Sequence, residues 1–329
     1  MEFRFELALC AALESPERVV SRQLGAGIER PGGRIVDVCL LEPGPAFAER
    51  TAITPERLPG PVVEAAIEGR LGPGRATSIR EALDCSPSHA RGVAEAAADA
   101  GFLELERREG RLAARTTTRY PTDWVGDLVA VENKPDLGTP GDLEAQLRYD
   151  AALGLFDRVV LATASYVTRA HLNRIPDAVG VWRFDPDTGE REVVREPTPL
   201  APTEPGVEIR AEHPLRSDVS LVSPAAKARK RRRVAERAYE KGWRPDPPAC
   251  AHATLTDDGR PRCAHFDRIV NPGRECGPTC EAYESVGRVG DGDGDRGDTL
   301  ATLRDERSAW VASPEGPAPR RQSGLDRFG

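Results

Sequence analysis

Lysine is nearly missing from this 329-residue chain: of 46 basic residues only four are lysine, namely Lys134, Lys227, Lys230 and Lys241. Three of these share one short C-terminal stretch, so Lys134 stands alone in the first two hundred residues. Arginine presents a broad planar fork and lysine a compact point charge, so the two are not interchangeable. A chain that otherwise uses arginine has kept lysine at one place in its N-terminal two-thirds, and that place needs a reason. Long apolar runs are also missing. None approaches the ~20 residues that span a bilayer, which excludes a helical membrane anchor. The opening Met1-Glu2-Phe3-Arg4-Phe5-Glu6 lacks the basic-then-apolar order of a signal peptide, so the expectation is a cytoplasmic protein. Seven cysteines are too few and too unevenly spread for a disulfide scaffold. In a reducing compartment a clustered set points to metal instead.

What is present suits a soluble globular protein: 39% apolar and 30% charged residues, with length for one generous domain or two smaller ones plus tails. Arginine in place of lysine at a net charge of −7 has the look of a halophilic protein.

Residues 1–25 read as a helical start, with Leu7, Cys10, Ala11 and Leu13 spaced for one face. Pro31-Gly32-Gly33 is a turn into Arg34–Leu41, an apolar, β-branched run broken only by Asp37, as expected of a buried strand. Pro43-Gly44-Pro45 leads to a second expected strand, Phe47 to Ile53. Helices are expected near Val62–Arg70 and Thr77–Asp84. A third starts at Ser86-Pro87 and ends at Gly101. With the alternating Phe102–Glu106 and a Glu109-Gly110 turn, residues 61–115 resemble a winged helix-turn-helix block. Leu128–Val131 is a buried strand running into Glu132-Asn133-Lys134, and Thr139-Pro140-Gly141-Asp142 opens a helix through Phe156. A strand over Arg158–Thr163, a short helix over Val167–Arg174 and a strand over Val179–Phe184 complete a β-α-β-α-β order. That order indicates a mixed α/β sheet. Proline and charge make 196–223 read as a linker, 224–244 as a basic helix, 245–284 as a Cys-rich module and 285–329 as a disordered tail. Asp291, Asp293 and Asp295 imitate the start of a calcium loop, but Arg296 and Thr302 stand where Gly and Glu are required.

Residues two apart on a strand share a face, so Glu132 and Lys134 are expected side by side at the end of a buried strand. There a carboxylate can hold a hard divalent cation, and an ammonium can orient water or offset charge on a phosphate. The plainer alternative is a strand-end salt bridge. Metal-assisted phosphodiester hydrolysis needs a second carboxylate. Asp127 has the wrong parity and lies roughly 16 Å along the strand; Asp123 fails in the same way. Asp37, the single charge in Ile35–Cys39, is the better candidate, because a lone carboxylate in a buried strand is costly unless paired or metal-bound. Gln146 shares a helical face with Leu143, Tyr149 and Leu153 and must find a polar partner, or is an ordinary core-edge amide.

Asp37, Glu132-Asn133-Lys134 and Gln146-Leu147-Arg148-Tyr149 together resemble the PD-(D/E)XK nuclease superfamily, and more narrowly a haloarchaeal family of that type. The Gln with a Tyr three residues on is similar to its RecB-like branch. The resemblance covers roughly residues 1–60 and 116–190, with Val36 where the motif's proline would stand. It implies a restriction-endonuclease-like core with Asp37 and Glu132 on neighbouring strands. The ninety or so residues between them then require the winged-helix-like block to be an insertion. It implies Mg²⁺ or Mn²⁺ on Asp37, Glu132 and the Asn133 carbonyl, a water- or phosphate-positioning role for Lys134, and Glu6 as the acidic residue of the first helix. The substrate expected is DNA. With no cleavage, the same fold would be a nucleic-acid-binding or regulatory protein.

Cys250, Cys263, Cys276 and Cys280, with His252 and His265 nearby, suggest four-thiolate ligation of Zn²⁺ or a [4Fe–4S] cluster. A metal or redox sensor built on that cluster is a further possibility. Lys227, Arg229, Lys230, Arg231, Arg232 and Arg233 form a basic patch suited to nucleic-acid phosphates, or a solvated helix face given Glu236 and Glu240. Nothing in the sequence bears on oligomeric state.

Overall fold

A computed structural model describes residues 2–285 apart from residues 31, 109 and 140. Pro31, Glu109 and Pro140 of the expected turns and helix start, and the tail beyond Ser285 with its aspartates, lie outside the described residues.

Helix α1 (Glu2–Leu13) turns Phe5, Leu9 and Leu13 inward, and the chain reverses through Pro16 into β1 (Val19–Gly25) and β2 (Ile35–Pro43). There follow α2 (Phe47–Thr51), α3 (Gly60–Ile67), β3 (Thr77–Ser78), α4 (Ile79–Ala82), α5 (Pro87–Asp99), β4 (Leu103–Arg108) and β5 (Arg111–Thr116). The next stretch holds β6 (Val125–Asn133), α6 (Leu143–Leu153), β7 (Arg158–Thr163), α7 (Arg169–Leu172), β8 (Gly180–Phe184) and β9 (Arg191–Arg195). The last holds β10 (Gly206–His213), β11 (Arg216–Val222), α8 (Pro224–Lys241), β12 (Ala253–Leu255), β13 (Pro261–Cys263), β14 (Arg268–Ile269) and α9 (Pro272–Glu275).

Six strands form the central mixed sheet in the order β1-β2-β6-β7-β8-β9. β6, β7 and β8 run parallel, and the other pairs are antiparallel. β6 is apolar on both sides because both faces of the sheet are covered. Leu128 and Ala130 face the layer holding α6 and α8, while Val129 and Val131 face α1 and Trp243. Although far apart in sequence, β2 and β6 are hydrogen-bonded neighbours, Val38 opposite Val131. The residues between them form a separate block: α3, α4 and α5 over a small sheet ordered β3-β5-β4. Its third helix buries Ala90, Ala94 and Ala97 on one stripe, and Gly101 (φ +77°) turns the chain out of that helix into β4.

One buried carboxylate ties the chain segments on either side of this block to α8. Glu236 of α8 accepts both arms of the fully buried Arg50 (2.7 and 2.6 Å), the Tyr120 hydroxyl (2.8 Å) and the Leu58 amide (2.7 Å).

Four expectations are corrected. Phe47–Ile53 is the helix α2 rather than a strand; Ala46, Ala48, Glu49 and Arg50 are good helix formers, and Arg50 is drawn to Glu236. The first 25 residues are not one helical unit, since β1 follows α1 and forms the sheet edge. The second helix of the block is shorter than expected, because Thr77 and Ser78 pair with β5. Residues 196–223 are no simple linker: β10 and β11 form a hairpin, and buried Glu208 accepts from the amides of Ile28 (3.3 Å) and Glu29 (2.7 Å) and from the Tyr149 hydroxyl (2.7 Å).

Candidate active site

The pairing of β2 with β6 brings two of the expected carboxylates together. One step beyond the Val38–Val131 pair, Asp37 faces Glu132 across the strands, where cross-strand Cβ atoms lie ~5 Å apart. Asp37 Oδ2 accepts from the Asn133 amide (3.0 Å), and its Oδ1 accepts from Gln23 Nε2 (3.2 Å). The same Gln23 amide and the Asn133 side-chain amide each donate to Glu6 Oε2 at 3.0 Å. Glu6, Gln23, Asp37 and Asn133 thus form a closed ring of hydrogen bonds joining α1, β1, β2 and β6. Arg22 Nε secures the other Glu6 oxygen at 2.5 Å.

This ring carries an anomaly. Asn133 Oδ1 is buried and no described residue partners it, a costly state unless a water or cation fills the gap. Flipping the amide would aim the oxygen at Glu6 instead, so the orientation is set by that carboxylate. Gln23 also has φ +55°, uncommon for a residue with a side chain. Lys241 of α8 holds the strained strand, donating to the Arg22 (2.6 Å) and Gln23 (3.0 Å) carbonyls.

Glu132 has a different partner from the one expected. Arg34 Nη2 donates to its Oε2 at 2.6 Å, and the same guanidinium grips Asp150 Oδ2 at 2.5 Å, all three side chains being buried. Lys134 lies beyond the end of β6, where strand alternation no longer fixes direction. Its ammonium sits 3.5 Å from Glu2 of α1, so it is not engaged with Glu132. Gln146 is half-buried and its side chain hydrogen-bonds no described residue, while one turn on it is Asp150 that points inward. Asp127, rejected on parity, pairs with Arg158 at the other end of β6.

Burial and the Asp37 charge push the Glu132 carboxyl up to about 8 in spite of Arg34, whose single charge is shared with Asp150. Burial also raises Asp37, against the Asn133 amide and Arg34, and raises Glu6, against Arg22. Burial raises Asp150 as well. The site thus concentrates more buried carboxyl groups than its arginines can neutralise. These are hard oxygen donors, with an unpartnered amide oxygen among them, and of the right chemistry for a divalent cation. Among the described residues, however, no three His, Cys, Asp or Glu side chains already converge at metal-ligating spacing. Gln23 and Arg34 bridge the carboxylates instead.

The four C-terminal cysteines line one cavity of about 410 Å³ beside β13 and α9, but no three of them converge at metal-ligating spacing. Burial and the proximity of Cys250, Cys263 and Cys280 push the Cys276 thiol up. All seven cysteines are free thiols, and Cys10 and Cys39 are buried in the core. The segment is anchored just past the end of α1 through the buried pair Arg244–Glu14 (2.6 Å).

The basic patch divides in two. Lys227 is buried and donates to the carbonyls of Ala201 and Glu204 (2.9 Å each). Arg231 bonds Leu155 O and Asp157, and Arg232 pairs with Glu64. These three hold the fold together and are corrected from phosphate contacts to structural ones. Arg229 and Arg233 are exposed and Lys230 is half-buried.

Sequence reasoning missed Arg34, Asp150, Gln23 and Lys241. Arg34 was visible as a charge between a Gly-Gly turn and an apolar strand, and Asp150 as the residue after Tyr149 on an inner helical face. Gln23 carried no signal while β1 went unread.

Fold and site together define a mixed α/β protein with a buried, carboxyl-rich centre where α1, β1, β2 and β6 meet. The chain belongs to the Family of unknown function (DUF5787), whose match spans residues 19–285. No curated protein and no solved structure matches it. No helix among the described residues is long and apolar enough to cross a membrane.

Proposed function

We propose that the protein is a metal-dependent nuclease that hydrolyses phosphodiester bonds of DNA on a restriction-endonuclease-like core. The observation that carries this reading is the Asp37–Glu132 cross-strand pair, with Asn133 between Asp37 and Glu6 and its own oxygen unpartnered. The order α1-β1-β2-β6-α6-β7 supports the core assignment, and the block of three helices with sheet β3-β5-β4 supports a winged-helix-like insertion. Asp37, Glu132 and Asn133 would hold Mg²⁺ or Mn²⁺, which supplies positive charge against the charge that develops on the scissile phosphate. Glu6 and Gln23 orient Asn133 and Asp37. Lys134, partly exposed just past the end of β6, would position a water or steady a phosphate oxygen. The cavity lined by Cys250, Cys263, Cys276 and Cys280 would hold Zn²⁺ or a [4Fe–4S] cluster as a staple of the C-terminal module.

One observation favours a second reading. Arg34 already satisfies Glu132, as it would in a non-catalytic nucleic-acid-binding or regulatory protein where Glu132 is purely structural. Cleavage of end-labelled linear and circular DNA with Mg²⁺ or Mn²⁺, beside Glu132→Ala and Lys134→Ala, separates the two. Metal-dependent cutting abolished by both substitutions is the expected result. Intact binding without cutting in all three proteins would move the assignment to the second reading.

A further inference from the structure

Helix α8 sorts its basic side chains. Lys227, Arg231 and Arg232 are spent on internal carbonyls and carboxylates. Lys230, Arg233 and Arg237 follow an i, i+3, i+7 spacing that puts them on one face. Among the described residues none of the three makes a hydrogen bond or an ion pair. They line one wall of a cleft of about 830 Å³. The inserted block contributes mainly small and apolar residues, among them Pro61 from α3 and Val93 from α5, together with His89, and Arg57, paired with Glu240, lines the cleft as well. A carboxylate also lines the cleft, Glu236, but it is saturated by Arg50, Tyr120 and the Leu58 amide. Burial and the neighbouring Arg233 charge depress the Lys230 ammonium, against the opposing pull of the Glu208 carboxylate. In a chain of net charge −7 such a concentration is not the background. Gln23, whose amide bonds both Glu6 and Asp37, also lines the cleft.

From Lys230 to Arg237 the helix rises about 10 Å, the span of roughly three phosphates of a stacked strand at ~3.4 Å per nucleotide. We propose that the cleft between α8 and the inserted block binds a single polynucleotide strand. Its phosphates lie along Lys230, Arg233 and Arg237, its sugars and bases lie against Pro61 and Val93, and its path reaches Gln23. Cations along α8 with mainly small and apolar residues from the inserted block fit a chain that is charged along one edge and apolar along the other. A purely anionic chain such as polyglutamate has no such apolar edge. Delivery of a phosphodiester to the carboxylates rests on the nuclease reading; binding in the cleft does not.

The test is fluorescence anisotropy of the full chain with a labelled oligothymidylate, an oligouridylate and a duplex, in EDTA, at salt between about 0.05 and 0.2 M. Without divalent cation no cleavage occurs, so failure of this inference is distinguishable from failure of the nuclease reading. The double variant Arg233→Gln/Arg237→Gln is expected to bind the single strand at least ~10-fold more weakly. Its log–log salt slope should be shallower by about 1.4, at ~0.7 per lost phosphate contact. Arg169→Gln, exposed on α7 and outside the cleft, is expected to change affinity less than ~2-fold. Thermal melting establishes that the variants are folded. DNA and RNA strands binding alike support the inference, as does a preference for either one. An equal loss in Arg169→Gln, tighter binding of the duplex, displacement of the oligonucleotide by polyglutamate at equal charge, or no binding by the wild type would each overturn it.

Discussion

Arg34 Nη2 lies 2.6 Å from Glu132 Oε2, so the carboxyl group that the proposed cation would need is already held by a buried guanidinium. A cation there competes with a guanidinium that also grips Asp150.

Replacing Arg34 by Ala leaves two buried carboxylates unpaired, and breaking such a pair costs about 3–5 kcal/mol. Urea unfolding of Arg34→Ala should show that loss and recover part of it in Mn²⁺, by more than wild type gains. Equal Mn²⁺ effects on the two proteins would mean that the cation does not take the guanidinium's place.

The raised Glu132 carboxyl sets a pH dependence. Its folded value, about 8, lies above the unfolded one near ~4.3. The protonated form therefore favours the fold: this contribution is fully present below ~4.3 and is lost as pH rises through about 8. Glu132→Gln should flatten the decline in stability across that window. Mn²⁺ binding requires the carboxylate, so affinity should tighten by up to about tenfold per pH unit as pH rises toward 8. Titration calorimetry at pH 6 and pH 9 giving one affinity would contradict the shift (values chosen to straddle the transition).

Metal analysis of the purified protein checks the cysteine cluster. About one zinc per chain, or about four irons with a visible absorption band, is expected. Cys276→Ser should lose it and make residues 245–284 protease-sensitive while the sheet stays folded. Full stability of that segment after chelation, with no metal found, would remove the staple.

Glu236 is the hub that joins the segments flanking the inserted block to α8. Glu236→Ala strands the Arg50 charge, which has no solvent exposure, and should destabilise by about 3–5 kcal/mol. Glu236→Gln, which still accepts hydrogen bonds, should cost less. A melting shift in Glu236→Ala no larger than that of an exposed substitution such as Glu240→Ala would show that the hub contributes little.

Much of the sheet was legible because buried parallel strands are written as apolar runs: β6, β7 and β8 each stand out. Asp37 and Glu132 were legible as charges placed against such runs. β1, with its central Ser-Arg-Gln, carries no apolar alternation, since Arg22 and Gln23 point at carboxylates rather than at the core. The hairpin β10–β11 hid for a similar reason, as one side of it is largely exposed and Glu208, its buried charge, serves loop amides far away in sequence.

The sequence by itself determined the mixed α/β class, the strand ends that carry Asp37 and Glu132, and the grouping of four cysteines. These follow from hydrophobic pattern and spacing, which are local. Only the tertiary structure decided that Arg34 faces Glu132, that Lys134 turns to Glu2, and that α8 divides its basic residues between the interior and the cleft. Those outcomes depend on which charges burial brings together across tens to hundreds of residues, and no local pattern records that.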